Sequence, residues 1–316
     1  MKIFITGITG FVGDVMASKL NEKNHEIGGL VRNLSLGDRP GSRLPKYISP
    51  YAADITDYLS IREALKSFNP DVIIHLASQT SVAYSFYHPH EVLNTNFRGT
   101  VNIADAAREV LPNLKRFVFS GSVEEYGNNP DDPITEDSPL IAASPYGVAK
   151  IGAEKYLNFL HDAYDFPSVL FRNANSYGRK YNHSFVIENA IYQMVNKEQK
   201  INMGDKEPIR DFIYIDDLVD AYIIAAESND DNILAKPMNL STGVGVSIEE
   251  LVRRIQNMTN YTGTVNWGSF PPRPCEIWSL VMKNEKAKSL LNWKPKYDLN
   301  QGLQKTIEWW QQSRKK

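Results

Sequence analysis

The sequence predicts an α/β fold: a doubly wound parallel sheet with helices on both faces and a smaller lobe in the C-terminal part. Two observations carry this. Strand-like apolar runs alternate with helix-period runs through the first half of the chain, and the first strand breaks into glycines spaced three apart, KIFITGITGFVG at positions 2–13. Parallel strands need crossover connections, and right-handed crossovers wrap the sheet on both faces. At 316 residues the chain can bury a large core, as one extended domain or as a domain with an appended lobe.

In chain order, Ile3, Phe4 and Ile5 read as a buried strand, Gly7, Gly10 and Gly13 as its exit turn, and Val12 to Lys23 as a helix. Glycine lets the turn take positive φ and lets a ligand approach the backbone, while the helix N-terminus offers unpaired N–H groups to a pyrophosphate. Placed between a first strand and a first helix, this cradle points to a dinucleotide-binding fold. His25–Arg32 and Tyr47–Asp54 read as strands, Asp57–Phe68 as a helix, and Asp71–Ala77 (DVIIHLA) as a strongly buried strand. Glu91–Glu109 reads as one long helix, Arg116–Ser120 as a strand, Ser144–Tyr164 as a helix and Ser168–Phe171 as a strand. Pro237–Thr242 reads as a seventh strand returning to the sheet. The dinucleotide-binding domain is therefore expected at 1–172, with 209–242 returning to it, and a discontinuous substrate lobe at 173–208 and 243–316. The helix Gly302–Gln312, with Trp309 and Trp310, is expected to dock at the end.

Composition narrows the function classes. A formal charge of −2 gives no reason to expect a nucleic-acid partner. No apolar run is long enough to span a bilayer, and the first strand starts without a basic leader and cleavage site. The only cysteine, Cys275, has no internal disulfide partner, which fits a reducing compartment. A soluble cytoplasmic protein is the expectation. Asp216 and Asp217 read as helix caps rather than metal ligands, Ser247-Ile-Glu-Glu250 has the capping-box form, and the histidines are too scattered for a metal site.

Two local patterns carry chemistry. Arg32 occupies the tip of the second strand, where an acidic residue would bind ribose hydroxyls and a cation accommodates a 2′-phosphate. With Asn33 and Ser35 as further donors, NADP is the expected cofactor and NAD the alternative. Asp54 and Ile55, ending the third strand, are placed to meet the adenine. The second pattern is Tyr146-Gly-Val-Ala-Lys150, whose spacing puts both side chains on one helix face. A tyrosine titrates near ~10, so a phenolate base near neutrality needs about 4 kcal/mol of preference. One cation at ~4 Å in a partly buried site supplies roughly that.

These segments, taken together, resemble the extended short-chain dehydrogenase/reductase family, the nucleotide-sugar epimerases and dehydratases, over almost the entire chain. The resemblance rests on TGITGFVG at 6–13, HLASQTSV at 75–82, NTNFRGTVNIADAAR at 94–108, SGSVEEYG at 120–127, SPYGVAK at 144–150 and RNANSYG at 172–178. It implies a Rossmann fold in which Tyr146 is the catalytic acid/base, Lys150 holds the nicotinamide ribose and Ser122 supports the hydroxyl being oxidised. The cofactor site it implies comprises Gly7, Thr9, Gly10, Phe11, Val12, Gly13, Arg32, Asn33, Asp54, Ile55, Leu76, Ala77, Gln79, Asn96, Tyr146, Lys150 and Asn173. Family members commonly pair through two long helices, so a homodimer through Glu91–Glu109 and Ser144–Tyr164 is expected by resemblance.

Within the family, the dehydratases carry a Thr-x-Glu-x-Tyr-Gly pattern, and Glu124 falls at the place of its glutamate. Once carbon 4 of a hexose is a ketone, the carbon-5 proton is acidified. A carboxylate can remove it while the carbon-6 hydroxyl departs, and hydride returns to carbon 6. Plain 4-epimerases have no such step. The adjacent Glu125 gives a Glu-Glu-Tyr-Gly sequence, which related 4-keto-sugar reductases share.

The C-terminal third resembles GDP-mannose 4,6-dehydratases and GDP-4-keto-6-deoxymannose reductases. Asn175 matches a family asparagine at the substrate phosphates, and Phe185 and Val186 open a helix toward the diphosphate. Ser85 lies in the matching QTSVAYSFYHP, and Arg210, Arg273 and Glu276 complete the substrate candidates, arginine forks suiting phosphate and a glutamate a guanine edge. The expected activity is that of a GDP-mannose 4,6-dehydratase-like lyase. A 4-keto-6-deoxy-sugar reductase, a 4-epimerase and a non-catalytic dinucleotide sensor stand behind it, in that order.

Overall fold

The apolar runs that alternate with helices assemble into one parallel sheet. The computed structural model describes residues 1–32, 44–180 and 182–313. Its strands are β1 (Lys2–Thr6), β2 (Glu26–Val31), β3 (Ile48–Ala52), β4 (Val72–His75), β5 (Arg116–Ser122), β6 (Ser168–Asn173), β7 (Asn175–Tyr177), β8 (Lys200–Asn202), β9 (Ile209–Tyr214), β10 (Pro237–Leu240), β11 (Gly245–Ser247), β12 (Thr264–Asn266) and β13 (Ser279–Leu280). The helices are α1 (Phe11–Glu22), α2 (Tyr58–Phe68), α3 (Val82–Tyr87), α4 (Pro89–Val92), α5 (Gly99–Val110), α6 (Pro145–Tyr164), α7 (Val186–Val195), α8 (Ile215–Glu227), α9 (Ile248–Thr259), α10 (Glu285–Leu291) and α11 (Leu299–Ser313). Seven strands pair in the order β10-β6-β5-β4-β1-β2-β3, all of them parallel. The doubly wound α/β expectation holds. The order reverses between β1 and β4, and such a switch point opens a crevice at the strands' carboxyl ends.

Burial explains why these runs are strands. Ile3, Phe4, Ile5, Val72, Ile73 and Ile74 are fully covered on both faces, as a parallel sheet between two helix layers requires. One core joins that sheet to α1, α8 and α10, and a second joins its other face to α2, α5 and α6. A third is built from α7, α9 and α11 around Ile191, Leu251, Leu303 and Trp310. Beside it, β9 pairs with β7, β11 and β13 in a second sheet, and β8 pairs with β12. Helix starts follow their caps: Asp57 accepts from Ser60 N–H, Ser144 from Gly147 N–H and Ser247 from Glu250 N–H.

Three differences from the sequence reading have physical causes. The helix expected over Glu91–Glu109 is α4, a π-helical stretch Leu93–Arg98 and α5. The wider turn brings Asn96 inward against the backbone of Gln79. Asp217 does not cap its own helix: its two oxygens accept the N–H groups of Lys296 and Tyr297, pinning the chain before α11. Asp216 instead pairs with Lys19 at 3.5 Å. Among the described residues, no helix is long and apolar enough to cross a membrane.

Candidate active site

A cleft of about 1280 Å³ runs along the carboxyl ends of the central strands, between the large sheet and the third core. Its floor is the glycine turn. Gly7 takes φ +73°, and a Cβ there would stand 2.8 Å from the Ala77 nitrogen; a Cβ on Gly13 would stand 2.3 Å from the Gly7 carbonyl oxygen. Gly7 is thus required by conformation and Gly13 by the packing of α1 against the turn. No side chain caps the first turn of α1, so its N–H groups face the cleft as anion donors. A backbone cradle of this form fits the pyrophosphate of a dinucleotide. Thr9, Gly10, Phe11, Val12, Arg32, Asp54, Ile55, Leu76, Ala77, Gln79 and Asn173 also line the cleft. Asn33 and Ser35 lie outside the described residues. Asn96 does not line it: buried, it accepts from Gln79 N–H at 2.8 Å and donates to the Gln79 carbonyl at 2.9 Å. It braces a cleft residue instead of facing a ligand.

The end of the cleft that holds the Tyr–Lys pair lies where β5 meets α6. Ser122, Glu124, Tyr146 and Lys150 all border the cleft. Ser122 ends β5, and the 3-10 turn Val123–Glu125 that follows aims Glu124 into the cleft. The first two turns of α6 bring Tyr146 and Lys150 to the same part of the cleft as Ser122. Lys150 Nζ donates to the Ser120 carbonyl at 2.6 Å and sits 5.8 Å from the Tyr146 ring centre. Burial pushes the Tyr146 phenol well above its ordinary value, with Glu124, Glu125 and Tyr222 adding to the rise and the Ser122 hydroxyl opposing it. The chain alone holds Tyr146 as a neutral phenol.

Glu124 is almost wholly buried. Its Oε1 lies 3.7 Å from Arg273 Nη1, and its Oε2 has no hydrogen-bond partner. Burial raises its carboxyl; Arg273 and Arg210 hold it down and Glu276 adds to the rise. A carboxylate raised by desolvation and aimed into a cleft is suited to take a proton.

At the far end, Asn175, Phe185, Val186, Arg210, Arg273 and Glu276 line the cleft. Arg210 donates to Glu276 at 3.1 Å and to the Ile277 carbonyl at 2.7 Å, so Glu276 already carries a cationic partner. Ser85 is misplaced by the sequence reading: it is fully buried and its hydroxyl donates to the Val82 carbonyl inside α3. Residues that the sequence did not single out also meet here. The Arg179 guanidinium lies 4.6 Å from the Phe11 ring and 3.7 Å from the Phe185 ring, with buried Glu188 at 3.6 Å. In a polar loop sequence, Arg179 carries no signal that separates it from solvated Lys180.

A glycine cradle at a switch point, facing a Tyr–Lys pair and a serine, defines a nucleotide-binding α/β enzyme of the dehydrogenase type. A family profile described as GDP-mannose 4,6 dehydratase matches residues 4–306. The UDP-glucose 4-epimerase of Mycolicibacterium smegmatis is 33% identical over 319 residues, covering 98% of each chain. The dTDP-D-glucose 4,6-dehydratase of Homo sapiens is 27% identical, covering 99% of this chain and 90% of that protein. Among solved structures, MoeE5 in complex with UDP-glucose and NAD matches with a TM-score of 0.87 at 25% identity, over 99% of this chain and 100% of that one. The chain belongs to the extended short-chain dehydrogenase/reductase family, and is an enzyme of its nucleotide-sugar epimerase and dehydratase group.

Proposed function

We propose that the chain oxidises carbon 4 of a nucleotide-linked hexose and eliminates water across carbons 5 and 6, as a 4,6-dehydratase. The observation that carries this is Glu124: a buried carboxylate with one unpartnered oxygen, beside Ser122 and Tyr146. Ser122 and Tyr146 hold the carbon-4 hydroxyl, and Tyr146 accepts its proton. Lys150 stands beside them as a fixed cation. Glu124 takes the carbon-5 proton as the carbon-6 hydroxyl leaves. A nicotinamide cofactor, when bound, would supply the acceptor and donor of hydride. Gly7, Gly10, Gly13 and the first turn of α1 hold its pyrophosphate; Asp54 and Ile55 flank its adenine.

NAD is the cofactor we propose, because the solved relative MoeE5 holds NAD. Arg32, exposed at the tip of β2 and lining the cleft, favours NADP as the second reading. Fluorescence titration of both cofactors separates them: an affinity for NADP above that for NAD, abolished in Arg32→Asp, sinks the NAD choice. A second reading of the reaction, 4-epimerisation, is favoured by the UDP-glucose 4-epimerase relative. Incubation with GDP-mannose, dTDP-glucose and UDP-glucose, with the sugars resolved by chromatography, decides between them. A 4-keto-6-deoxy product supports the dehydratase; a carbon-4 epimer with no keto sugar overturns it. The GDP linkage expected from the sequence is tested by the same panel. We also propose a homodimer through α6 and the π-helical stretch, on which Phe97, Val148, Phe159 and Tyr164 are exposed.

A further inference from the structure

The loop that leaves β7 places a cation where the two halves of the cleft meet, and the proposed reaction gives it no task. Gly178 takes φ +108°, a conformation that glycine tolerates. The turn aims the N–H groups of Gly178 and Arg179 at Glu188 Oε1, each at 2.9 Å. The Arg179 side chain then runs between two rings, its guanidinium carbon 4.6 Å from the centre of Phe11 and 3.7 Å from that of Phe185. Phe11 opens α1, whose free N–H groups form the cradle, and Phe185 precedes α7, which likewise has no side-chain cap. All three residues line the cleft. This guanidinium is poorly compensated, although only 11% of the side chain is exposed. Nη1 donates to the Ser176 carbonyl, and Nη2 reaches the Ser176 hydroxyl only at 3.5 Å. Of five guanidinium N–H donors, the described residues therefore accept at most two. The one ion pair among those residues is with Glu188, 3.6 Å from Nη1, and Glu188 Oε2 accepts no hydrogen bond.

We propose that Arg179 is a diphosphate-binding residue: held between Phe11 and Phe185, it offers its unused N–H donors to a ligand diphosphate lying between the starts of α1 and α7. This rests on the reading of the cleft as a site for a dinucleotide and a nucleotide sugar. A buried ion pair is favourable only when its geometry is good and its remaining donors are satisfied, and here neither condition holds. Glu188 is committed to the backbone through Oε1, so it fixes the loop more than it neutralises the cation. Burial accordingly draws the arginine below its ordinary value and the glutamate above its own, and the pairing does not undo either. Two aromatic rings suit a guanidinium, which packs on their faces while its in-plane donors stay available. Its planar fork matches two phosphate oxygens, and the positive ends of two helices favour the same anion. Cofactor and sugar nucleotide both carry a diphosphate, and the test separates the two sources.

The test is calorimetric titration of the full chain, as wild type, Arg179→Gln and Arg179→Lys, with paired nucleoside mono- and diphosphates. AMP and ADP report the cofactor half; GMP with GDP, dTMP with dTDP and UMP with UDP report the substrate half. The quantity read is the factor by which the second phosphate tightens binding. In Arg179→Gln that factor is expected to fall by about ten- to a hundredfold on at least one half, as for a lost hydrogen bond to a charged group. The half on which it falls names the ligand. Arg179→Lys keeps the charge but loses the planar fork, so its factor falls less. A role in packing alone would weaken mono- and diphosphate alike and leave the factor where it was. A factor unchanged on both halves in Arg179→Gln, or a wild-type factor of one on both, overturns the proposal. Should Arg179→Gln not fold, Arg179→Lys decides alone, an unchanged factor overturning it. The titration needs no turnover, so it fails or succeeds independently of the assigned reaction.

Discussion

At the scale of the residue, desolvation sets what each reacting group holds before a substrate arrives. Tyr146 is a neutral phenol in the chain alone, so its role depends on charge brought beside it. Tyr146→Phe is expected to lower turnover by about 10²–10⁴-fold with the thermal midpoint little changed; equal turnover would remove the assignment. Glu124 behaves in the opposite sense. Its raised carboxyl is the acid that must be ionised to act as base, so the rate falls as pH drops through that raised value, above the ordinary carboxylate range. Glu124→Gln is expected to abolish water loss while carbon-4 oxidation persists, seen as transient absorbance of reduced cofactor in stopped flow. At Gly13, alanine would drive a Cβ into backbone at 2.3 and 2.6 Å. Gly13→Ala should therefore destabilise by roughly 1–3 kcal/mol in chemical denaturation and weaken cofactor binding.

At the scale of the element, one buried imidazole ties three segments. Ala77 N–H donates to Thr6 Oγ1, whose hydroxyl faces His75 Nδ1 at 2.7 Å. His75 Nε2 meets Thr100 Oγ1 at 3.0 Å, and Thr100 donates to the Asn96 carbonyl. The chain of donors closes only with His75 neutral and its proton on Nε2. Burial pushes this imidazole down to about 3, whereas an unfolded histidine titrates near ~6.5. Between these values the unfolded chain binds more protons, so stability rises with pH by up to about 1.4 kcal/mol per unit. The contribution is complete above the unfolded value and is lost as pH falls toward the folded one. His75→Gln should flatten the urea midpoint across that window; an unchanged slope contradicts it. The sequence made the sheet legible because continuous apolar runs such as DVIIHLA have one solution between two helix layers. It could not show that Asn96 turns inward, since a π-helical turn shifts every face that a 3.6-residue period predicts. Nor could it separate Ser85 from its neighbours: a hydroxyl satisfied by its own helix looks the same in sequence as one that meets a ligand.

At the scale of the whole molecule, the cleft joins two unlike surfaces. One side is backbone, the glycine cradle and the first turn of α1; the other is side chain, Arg210, Arg273 and Phe185, carried by segments far apart in sequence. The first was legible from one motif. The second depends on how the chain after β6 folds back, and its ion pairs, Arg210 with Glu276 and Arg273 with Glu124, arise only in the folded molecule. Toward the C-terminal end of α6, Phe159 and Tyr164 pack edge to face while remaining half exposed. Phe159→Glu should convert a dimer to a monomer in sedimentation velocity with turnover per site retained; a wild-type monomer contradicts the proposed pairing. The central claim is that Glu124 makes this enzyme a 4,6-dehydratase. The most direct measurement is the mass of sugar nucleotide recovered after incubation in heavy water with catalytic cofactor. Loss of one water, ~18 Da, with one solvent deuterium retained at carbon 5 is the predicted result, because a proton removed there must be replaced from solvent. A carbon-4 epimer of unchanged mass, free of deuterium, would contradict the account.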